Sequence, residues 1–400
     1  MVRSIIFWTH LACGVVCGIV VFTMSFTGVM LTYERQIKAW VAEGSYAEPA
    51  PGQQALPLED LIARQRELAP GFEPAAVVLT NAAGAPVSFR AGRQAGANLN
   101  PYTGGEMQTG SPGLDAFFSW NTGFHRWFNV EGENRALARQ VTGISNVAFL
   151  FLVLSGMYLW LPRFWKWSQF RVRMLFSKDY PTSKARDFHW HHIFGIWAAL
   201  PLLAVVYTGA VISYPWAANL MYVAFGAEIP AAPAGGPGGT GGGRGPGAAA
   251  AEAPAMPEYP GALGLNALMD RALAHHAGDW NRLTLTLPKP SDNSVQIEID
   301  RGNGAQAQLR HTLTLDRVSG EVLAVSAFVD QPLAQRLRGI ARFLHTGEVL
   351  GFWGQTIAGL VSFASLFLVW TGLALSYRRL VVPLLRKRKV EVIAAGSSVA

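Results

Sequence analysis

Four long stretches of the chain consist mainly of apolar residues and contain no Asp, Glu, Lys or Arg. A helix of about 20 residues crosses the hydrocarbon core of a bilayer, and each stretch reaches that length. Pro215 predicts the point where the third helix ends, and the first apolar run is too long for a cleaved signal peptide. The pattern therefore predicts an α-helical membrane protein with four transmembrane helices, within residues 4–33, 140–162, 188–227 and 349–377.

The two long connecting segments have patterns typical of small α+β domains. Each has a stretch with helical periodicity, followed by a run in which apolar and polar residues alternate as in half-buried strands. The helical stretches are residues 58–68 and 263–275, and the alternating runs are 77–89 and 295–315. Amphipathic segments at 113–128 and 331–346 precede the second and fourth spans, and they predict helices that lie at the membrane surface.

The second half of the chain repeats the spacing of the first half. A histidine is followed by a glycine, a Thr-Gly pair and a tyrosine at offsets of 4, 17 and 23 residues in both halves. Both halves enter the membrane from the same side, which predicts two parallel repeats related by a pseudo-two-fold axis along the membrane normal. The matching residues are His10, Gly14, Thr27-Gly28 and Tyr33, then His191, Gly195, Thr208-Gly209 and Tyr214, with Ser155-Gly156 in span two and Thr371-Gly372 in span four.

Charge defines the class of protein and its orientation. Half of the 400 residues are hydrophobic and only 15% are charged, which excludes a soluble enzyme. The net charge of +7 comes from basic residues beside the spans and does not indicate a nucleic-acid partner. Seven basic residues against two Asp in the 163–187 connection, and a basic tail, predict a cytoplasmic location for both segments. Both termini are then cytoplasmic and the two α+β domains periplasmic, in a bacterial inner membrane.

The predicted organisation follows the chain in order. It consists of transmembrane helix 1 at 1–33, the first periplasmic domain at 34–112, an interfacial helix and transmembrane helix 2 at 113–162, a cytoplasmic loop at 163–187, transmembrane helix 3 at 188–215, the second periplasmic domain at 216–330 with a Gly/Pro-rich linker at 230–257, an interfacial helix and transmembrane helix 4 at 331–378, and a cytoplasmic tail at 379–400.

Four histidines are the strongest candidates for a binding site. His10 and His191 lie near the cytoplasmic ends of two spans, while His125 and His345 lie in the interfacial segments. A single histidine at such a place often only hydrogen-bonds backbone or lipid, but two symmetry-related pairs favour a bound group. His192 and His189 are rotated by about 100° and 200° from His191 on a helix, and they are therefore weaker candidates.

The composition of the pairs favours haem over zinc. Zinc takes four protein ligands, or three with water, and no Cys or carboxylate accompanies either pair within the spans. A haem needs two axial ligands, and the absence of C-x-x-C-H indicates non-covalent haem b. Gly14 and Gly195, one turn after His10 and His191, leave room for a flat macrocycle or serve close helix packing. Cys13 and Cys17 are predicted to be packing residues.

Two haems separated by most of a bilayer, roughly 25 Å at 1.5 Å per residue, predict transmembrane electron transfer. The pattern gives no separate catalytic side chain. The lipid bilayer is the surrounding partner in every interpretation.

The chain resembles the PepSY-associated transmembrane family. The resemblance rests on motifs with a characteristic order, namely Phe7-Trp-Thr-His10, Asn100-Pro-Tyr-Thr-Gly104, His189-Trp-His191-His192 and Leu344-His345-Thr-Gly347. It implies PepSY-like periplasmic domains and an inner-membrane di-haem oxidoreductase of the ferric siderophore (ferrioxamine) reductase type. The implied axial ligands of the haem iron are His10, His191, His125 and His345. The implied reaction reduces periplasmic ferric siderophore and releases Fe(II) for iron uptake.

The electron donor and the final acceptor stay open at this point. The sequence has no recognisable flavin or nicotinamide domain, and we expect electrons from a quinol or a separate cytoplasmic reductase. A second interpretation is a membrane-anchored PepSY binding or regulatory protein without redox activity, in which the histidines are structural. A third keeps both haems and delivers electrons to another periplasmic acceptor.

Overall fold

The computed structural model describes residues 1–92, 94–162, 165–229, 259–289 and 291–397. The predicted linker at 230–257 lies outside these ranges. The chain divides into two compact units. The helical unit comprises Met1–Glu34, Phe117–Leu220 and Ala341–Ala400, and the sheet unit comprises Arg35–Ala116 and Met221–Ile340.

Helices and strands are numbered here in chain order. The helices are α1 Val2–Leu31, α2 Glu34–Glu43, α3 Leu58–Leu68, α4 Pro112–Trp127, α5 Arg135–Trp160, α6 Trp167–Met174, α7 Ser183–Ser213, α8 Pro215–Ala224, α9 Leu265–His276, α10 Leu333–His345 and α11 Gly351–Ser397. The strands are β1 Ala76–Thr80, β2 Val87–Ala91, β3 Gln94–Leu99, β4 Arg282–Thr286, β5 Ser294–Asp300, β6 Arg310–Asp316 and β7 Val322–Ala327.

The helical unit contains the four predicted spans. Helices α1, α5, α7 and α11 are long and apolar enough to cross a membrane, which confirms that part of the prediction. Large apolar side chains stand on their outer surfaces, such as Val16 at 79% and Ile19 at 74% exposure. Contiguous apolar exposure of this kind is costly in water and favourable in lipid. The unit is therefore built for a bilayer.

Helix ends differ from the predicted bounds for local reasons. Helix α5 begins at Arg135, before the apolar run, because helical hydrogen bonding continues through the polar turn that precedes it. Helix α7 ends at Ser213, and α8 begins at Pro215. Proline has no N–H to donate and suits the first position of a helix. The helix break before Pro215 agrees with the predicted end of the third helix, and α8 was not expected from the sequence.

The four long helices form a closed ring of neighbours. Helices α1 and α7 each pack against both α5 and α11. A small core of Val153, Ala198, Leu202, Val206 and Val361 joins α5, α7 and α11. In this arrangement α1 and α7 face each other across the bundle, with α5 and α11 on either side.

The sheet unit differs from the predicted pair of separate domains. Strands from both connecting segments form one antiparallel sheet in the order β3-β2-β1-β4-β5-β6-β7. Strands β1 and β4 join the two halves, with Val78 opposite Thr284. An unpaired strand edge exposes N–H and C=O groups, and this pairing removes one such edge from each half. Alternation along single segments could not reveal which edges would meet.

Helices α3 and α9 contribute to the core of this sheet. Leu61 of α3, Leu268 of α9 and Ile297 of β5 are among its fully buried members. The predicted helix at 58–68 coincides with α3, and the predicted helix at 263–275 begins two residues early compared with α9. The alternating runs contain the hairpins β1–β2 and β5–β6, with intervening turns.

Two turns with matching sequence positions also have matching hydrogen bonds. Asn100 Oδ1 accepts from the backbone N–H groups of Tyr102 and Thr103. Asp316 Oδ1 accepts in the same way from the two N–H groups that follow at the corresponding offsets. Each turn ends at a glycine with positive φ, Gly104 at +67° and Gly320 at +71°. A side chain at either glycine would strain this backbone.

Candidate histidine-pair site

The structure brings His10 of α1 and His191 of α7 together. Their ring centres are 6.5 Å apart, and their planes are inclined by 87°. The two residues that the sequence pairs are thus neighbours in space.

His125 and His345 form a second pair of the same kind. Their ring centres are 6.3 Å apart, with planes inclined by 61°. His125 lies in the last turn of α4 and His345 ends α10. His125 contacts Thr27 of α1, which lies 17 residues after His10, roughly 25 Å along a helix at 1.5 Å per residue. The two pairs therefore occupy opposite ends of α1.

In the His10–His191 pair, each ring is held by a hydroxyl group from a neighbouring span. His10 Nδ1 lies 2.8 Å from Ser155 Oγ, and His191 Nδ1 lies 2.9 Å from Thr371 Oγ1. Ser155 belongs to α5 and Thr371 to α11, so that each histidine is oriented by a helix other than its own. Both hydroxyl-bearing residues are buried.

The His125–His345 pair is held by one hydroxyl and one carbonyl group. His125 Nδ1 lies 2.9 Å from Thr27 Oγ1, and His345 Nδ1 lies 2.7 Å from the carbonyl oxygen of Val205. Helix α1 thus orients His125 and α7 orients His345. Each Nδ1 again has one close oxygen partner.

The partners of these contacts favour a proton on Nδ1, the ring nitrogen that faces an oxygen atom in all four histidines. The hydroxyl groups of Ser155, Thr27 and Thr371 each donate to the carbonyl four residues earlier in their own helix, at 2.6, 2.8 and 2.6 Å. Their oxygens therefore accept from histidine Nδ1–H, and the Val205 carbonyl is an acceptor only. This assignment puts the proton on Nδ1 in all four histidines and leaves the Nε2 lone pair for another partner.

The separation of the ring centres is compatible with one metal ion between the two imidazoles of a pair. Within the described residues, no hydrogen bond engages any of these four Nε2 atoms. A metal–imidazole bond of about 2 Å, with each ring centre about 1 Å behind its nitrogen, places two axial rings roughly 6 Å apart. The observed 6.5 and 6.3 Å agree with that value. Two axial nitrogens and no further protein ligand is the donor set of a bis-histidine haem.

Glycines lie against all four imidazoles. A methyl group on Gly156 or Gly372 would come 3.4 Å from Cε1 of His10 or His191. On Gly28 and Gly209 it would come 3.7 and 3.2 Å from Cε1 of His125 and His345. Each glycine directly follows the Ser or Thr of a Ser/Thr-Gly pair. In three of the four spans the dipeptide supplies both a hydroxyl group and a flat surface for a ring, and Thr208-Gly209 supplies only the flat surface.

Gly14 and Gly195 do not contact the histidine rings. A methyl group on Gly14 would meet Leu152 at 3.9 Å, and one on Gly195 would meet Leu368 at 3.7 Å. These are ordinary van der Waals distances, and the backbone in both places has room for a neighbouring flat group. Both interpretations made from the sequence, room for a macrocycle and close helix packing, stay predictions.

His192 and His189 point to other partners. His192 Nδ1 donates to the Phe188 carbonyl of its own helix at 2.8 Å. His189 contacts the Tyr180 hydroxyl and the Val172 carbonyl at 3.0 and 2.6 Å. Neither has a facing histidine in α1, whereas His191 does.

No role was predicted from the sequence for Ser155, Thr371 or Thr27. In the sequence these residues served only to align the two repeats. A Ser/Thr-Gly pair nevertheless occurs in all four spans. That recurrence is the sequence signal from which their role could have been predicted. Val205 carries no such signal, because any residue type supplies a backbone carbonyl.

A buried ion pair lies one helical turn from His191. Asp187 is four residues before His191 in α7, and its side chain is only 3% exposed. Its carboxylate accepts from Arg378 of α11 at 2.5 Å and from Arg186 at 3.0 Å. The pair therefore connects the ends of α7 and α11 beside the His191–Thr371 contact.

Other candidate features do not form a comparable site. Among the described residues no three His, Cys, Asp or Glu side chains are grouped to hold a metal ion. Cys13 and Cys17 are both free. An apolar groove of about 500 Å³ between α5, α6 and α7 includes Met157 and Trp197 but none of the paired histidines.

Comparison with known proteins agrees with this architecture. The model of the family described as the PepSY-associated TM region matches residues 7–379. No curated protein matches the chain. The family match includes the four long helices, both histidine pairs and the whole seven-stranded sheet.

Proposed function

The chain belongs to the PepSY-associated transmembrane family, and on that premise we propose that it is an oxidoreductase that transfers electrons across a membrane through two non-covalent b-type haems. His10 and His191 would be the axial ligands of one haem, and His125 and His345 those of the other. The observation that carries the proposal is the matched geometry of the pairs, with facing imidazoles whose Nδ1 protons are all engaged and whose Nε2 lone pairs are available.

A bis-histidine haem supplies reversible one-electron exchange between Fe(III) and Fe(II). The protein residues keep each imidazole neutral and in a fixed orientation. The hydroxyl groups of Ser155, Thr371 and Thr27 and the Val205 carbonyl accept the Nδ1 protons, which raises the basicity of Nε2. The apolar helices around each pair exclude water and favour the less charged iron state.

We place the protein in a bacterial inner membrane with both termini in the cytoplasm. The basic 163–187 connection and the basic tail support this orientation. The sheet unit then lies in the periplasm, with the His125–His345 pair at the periplasmic end and the His10–His191 pair at the cytoplasmic end. The recurring Ser/Thr-Gly and histidine positions support two parallel repeats.

The proposed acceptor is a periplasmic ferric siderophore, and its reduction releases Fe(II) for uptake. A ferric chelate is too large and polar to cross the bilayer unaided. Reduction from the far side of the membrane is thus a route by which cytoplasmic electrons reach it. The proposed donor is a quinol or a cytoplasmic reductase, which would act at the His10–His191 end.

The proposal is tested by following haem absorbance after dithionite-reduced protein is mixed with a ferric siderophore. The wild type is expected to reoxidise fully and quickly, while His345→Ala keeps a reduced haem at the other pair for much longer. His275→Ala, an exposed histidine of the sheet unit, is the control and should behave as the wild type. Equal rates in wild type and His345→Ala would contradict the assigned exit. Purified protein without haem absorbance would instead favour the membrane-anchored binding protein.

A further inference from the structure

Four arginines lie in the helix segments that carry or adjoin the His125–His345 pair. Arg126 directly follows His125 at the end of α4, and Arg342 lies three residues before His345 in α10. Arg135 and Arg139 occupy the first two turns of α5. The Thr142 hydroxyl contacts the carbonyls of Arg126 and Arg139 at 2.7 and 3.1 Å, which fixes the end of α4 against the start of α5.

Two of the guanidinium groups share one aromatic ring, and the charges of the other three arginines act on Arg126. Arg126 and Arg135 both lie over the ring of Trp127, with their Cζ atoms 5.1 and 4.2 Å from its centre. Burial, followed by the charges of Arg139, Arg342 and Arg135, lowers the pKa of Arg126. Like charges held together raise the free energy of the protein unless an anion joins them.

Within the described residues, no ion pair joins a carboxylate to Arg126, Arg135, Arg139 or Arg342. The ion pairs of the structure involve other residues, in the sheet unit and at Asp187. Under the proposed orientation the cluster also lies on the periplasmic side, where arginines near a span are disfavoured. The presence of four arginines near one histidine pair is explained if an anion from outside the chain binds there and compensates their charge.

The type of basic residue indicates the chemistry of that anion. All four members are arginine, and none is lysine. The planar guanidinium fork matches a carboxylate with two parallel hydrogen bonds, whereas lysine acts as a point charge. Trp127 holds two of the forks by cation–π contact, which reduces the entropy lost when they bind.

We propose that Arg126, Arg135, Arg139 and Arg342 form a carboxylate-binding site at the His125–His345 pair. The inference rests on the proposed function for its place in the reaction, and it names two sources of the carboxylate. One is a carboxylate-bearing ferric chelate that arrives as electron acceptor, and the other is the propionate groups of a haem held by the pair.

The first measurement is equilibrium binding of citrate and ferric citrate to the full-length, haem-depleted protein in a non-ionic detergent. Trp127 fluorescence reports binding because two of the arginines lie against its ring. Arg126→Gln and Arg342→Gln are each expected to weaken citrate binding by about tenfold, the typical loss of a charged hydrogen bond. Arg338→Gln, which removes the same charge one turn earlier in α10, is the control and should bind citrate like the wild type.

The second measurement is haemin titration of the same variants. If citrate binding weakens while haemin affinity at the His125–His345 pair is unchanged, the site serves the acceptor. If haemin affinity also falls, or falls alone, the arginines hold the propionates. Citrate and haemin affinities that both match the wild type in a folded Arg126→Gln/Arg342→Gln double variant would overturn the proposal.

The two hypotheses fail in different ways. A wild-type protein that never takes up haem refutes the proposed function, yet its citrate affinity still reports on the arginine site. Conversely, a di-haem protein whose arginine variants bind citrate and haemin normally retains the proposed function and loses only the carboxylate site.

Discussion

Each imidazole of a histidine pair is oriented by the residue that accepts a hydrogen bond from its Nδ1. Because this bond uses Nδ1, Nε2 is the ring nitrogen that remains for a metal ion. Three rings have a Ser or Thr hydroxyl as acceptor and His345 has the carbonyl of Val205. Thr208 occupies the fourth equivalent position, but its hydroxyl bonds only to carbonyls of its own helix. The chain therefore contains its own control for the role of the hydroxyl groups.

We predict that Ser155→Ala, Thr371→Val and Thr27→Val weaken haem binding at the affected pair by about 10- to 100-fold, as loss of a metal ligand's hydrogen-bond partner typically does. Thr208→Val should leave haem binding at the His125–His345 pair unchanged. Haemin titration monitored at the Soret band measures both. A loss in Thr208→Val equal to that in Thr27→Val would show that the dipeptides serve only helix packing.

The glycines beside the histidine rings lead to a second prediction, which concerns haem content. A methyl group at Gly209 would lie 3.2 Å from His345 Cε1 and 3.0 Å from Asn146 Oδ1, which is tighter than ordinary contact. Gly209→Ala is thus expected to reduce haem content at the His125–His345 pair. Gly14→Ala, with only Leu152 at 3.9 Å, should reduce it at neither pair unless the macrocycle itself lies over Gly14. Haem content after identical purification distinguishes these outcomes.

At the residue scale, the sequence predicted the four histidines because their spacing recurs. It did not predict their partners. Which helix supplies a hydroxyl depends on how α5 and α11 rotate against α1 and α7, and periodicity within one helix does not determine rotation between helices. The choice between His191 and His192 has the same difficulty. Before the fold is known, only the spacing to Gly195 favours His191 over His192 as a ligand.

At the scale of elements, helices α7 and α11 are joined near one end by charge. Asp187 is buried with Arg378 as its partner on α11, two turns after Thr371. The ion pair and the Thr371–His191 hydrogen bond therefore follow one another along the same helix interface.

We predict that Arg378→Gln destabilises the helical unit by about 3 kcal/mol, because a buried carboxylate loses its main partner. Arg186, which is 44% exposed, compensates only in part. Arg386→Gln, two turns further along α11 on an exposed position, is the matched control. Thermal unfolding in detergent measures the difference, and equal midpoints for both variants would contradict a structural role for the pair.

The bounds of helices with strong periodicity were predicted well from the sequence. The arrangement of the strands, which depends on pairing between distant segments, was not. The helix at α3 and the exit at Pro215 follow from local pattern and proline chemistry. The joining of β1 to β4 does not, because strand edges from segments 200 residues apart meet only in the folded sheet unit. The apolar run continues to residue 227, and helix α8 within it was not predicted as a separate helix.

At the scale of the whole molecule, the orientation of the protein decides which pair meets which redox partner. The positive-inside rule predicts the basic 163–187 connection in the cytoplasm and the sheet unit in the periplasm. In a Cys13→Ser/Cys17→Ser background, a membrane-impermeant maleimide should label Ala274→Cys in intact spheroplasts. It should label Lys178→Cys only after the membrane is opened. The reverse pattern would exchange the donor and acceptor ends.

The central claim is that each chain carries two haems, each held by one histidine pair. The most direct measurement is the pyridine haemochrome stoichiometry of the purified full-length protein, in wild type and in His191→Ala, His345→Ala and His192→Ala. We predict two b-type haems per chain in the wild type and in His192→Ala, and one in each of the other two variants. A wild-type value near zero, or a haem lost in His192→Ala and kept in His191→Ala, would contradict the account.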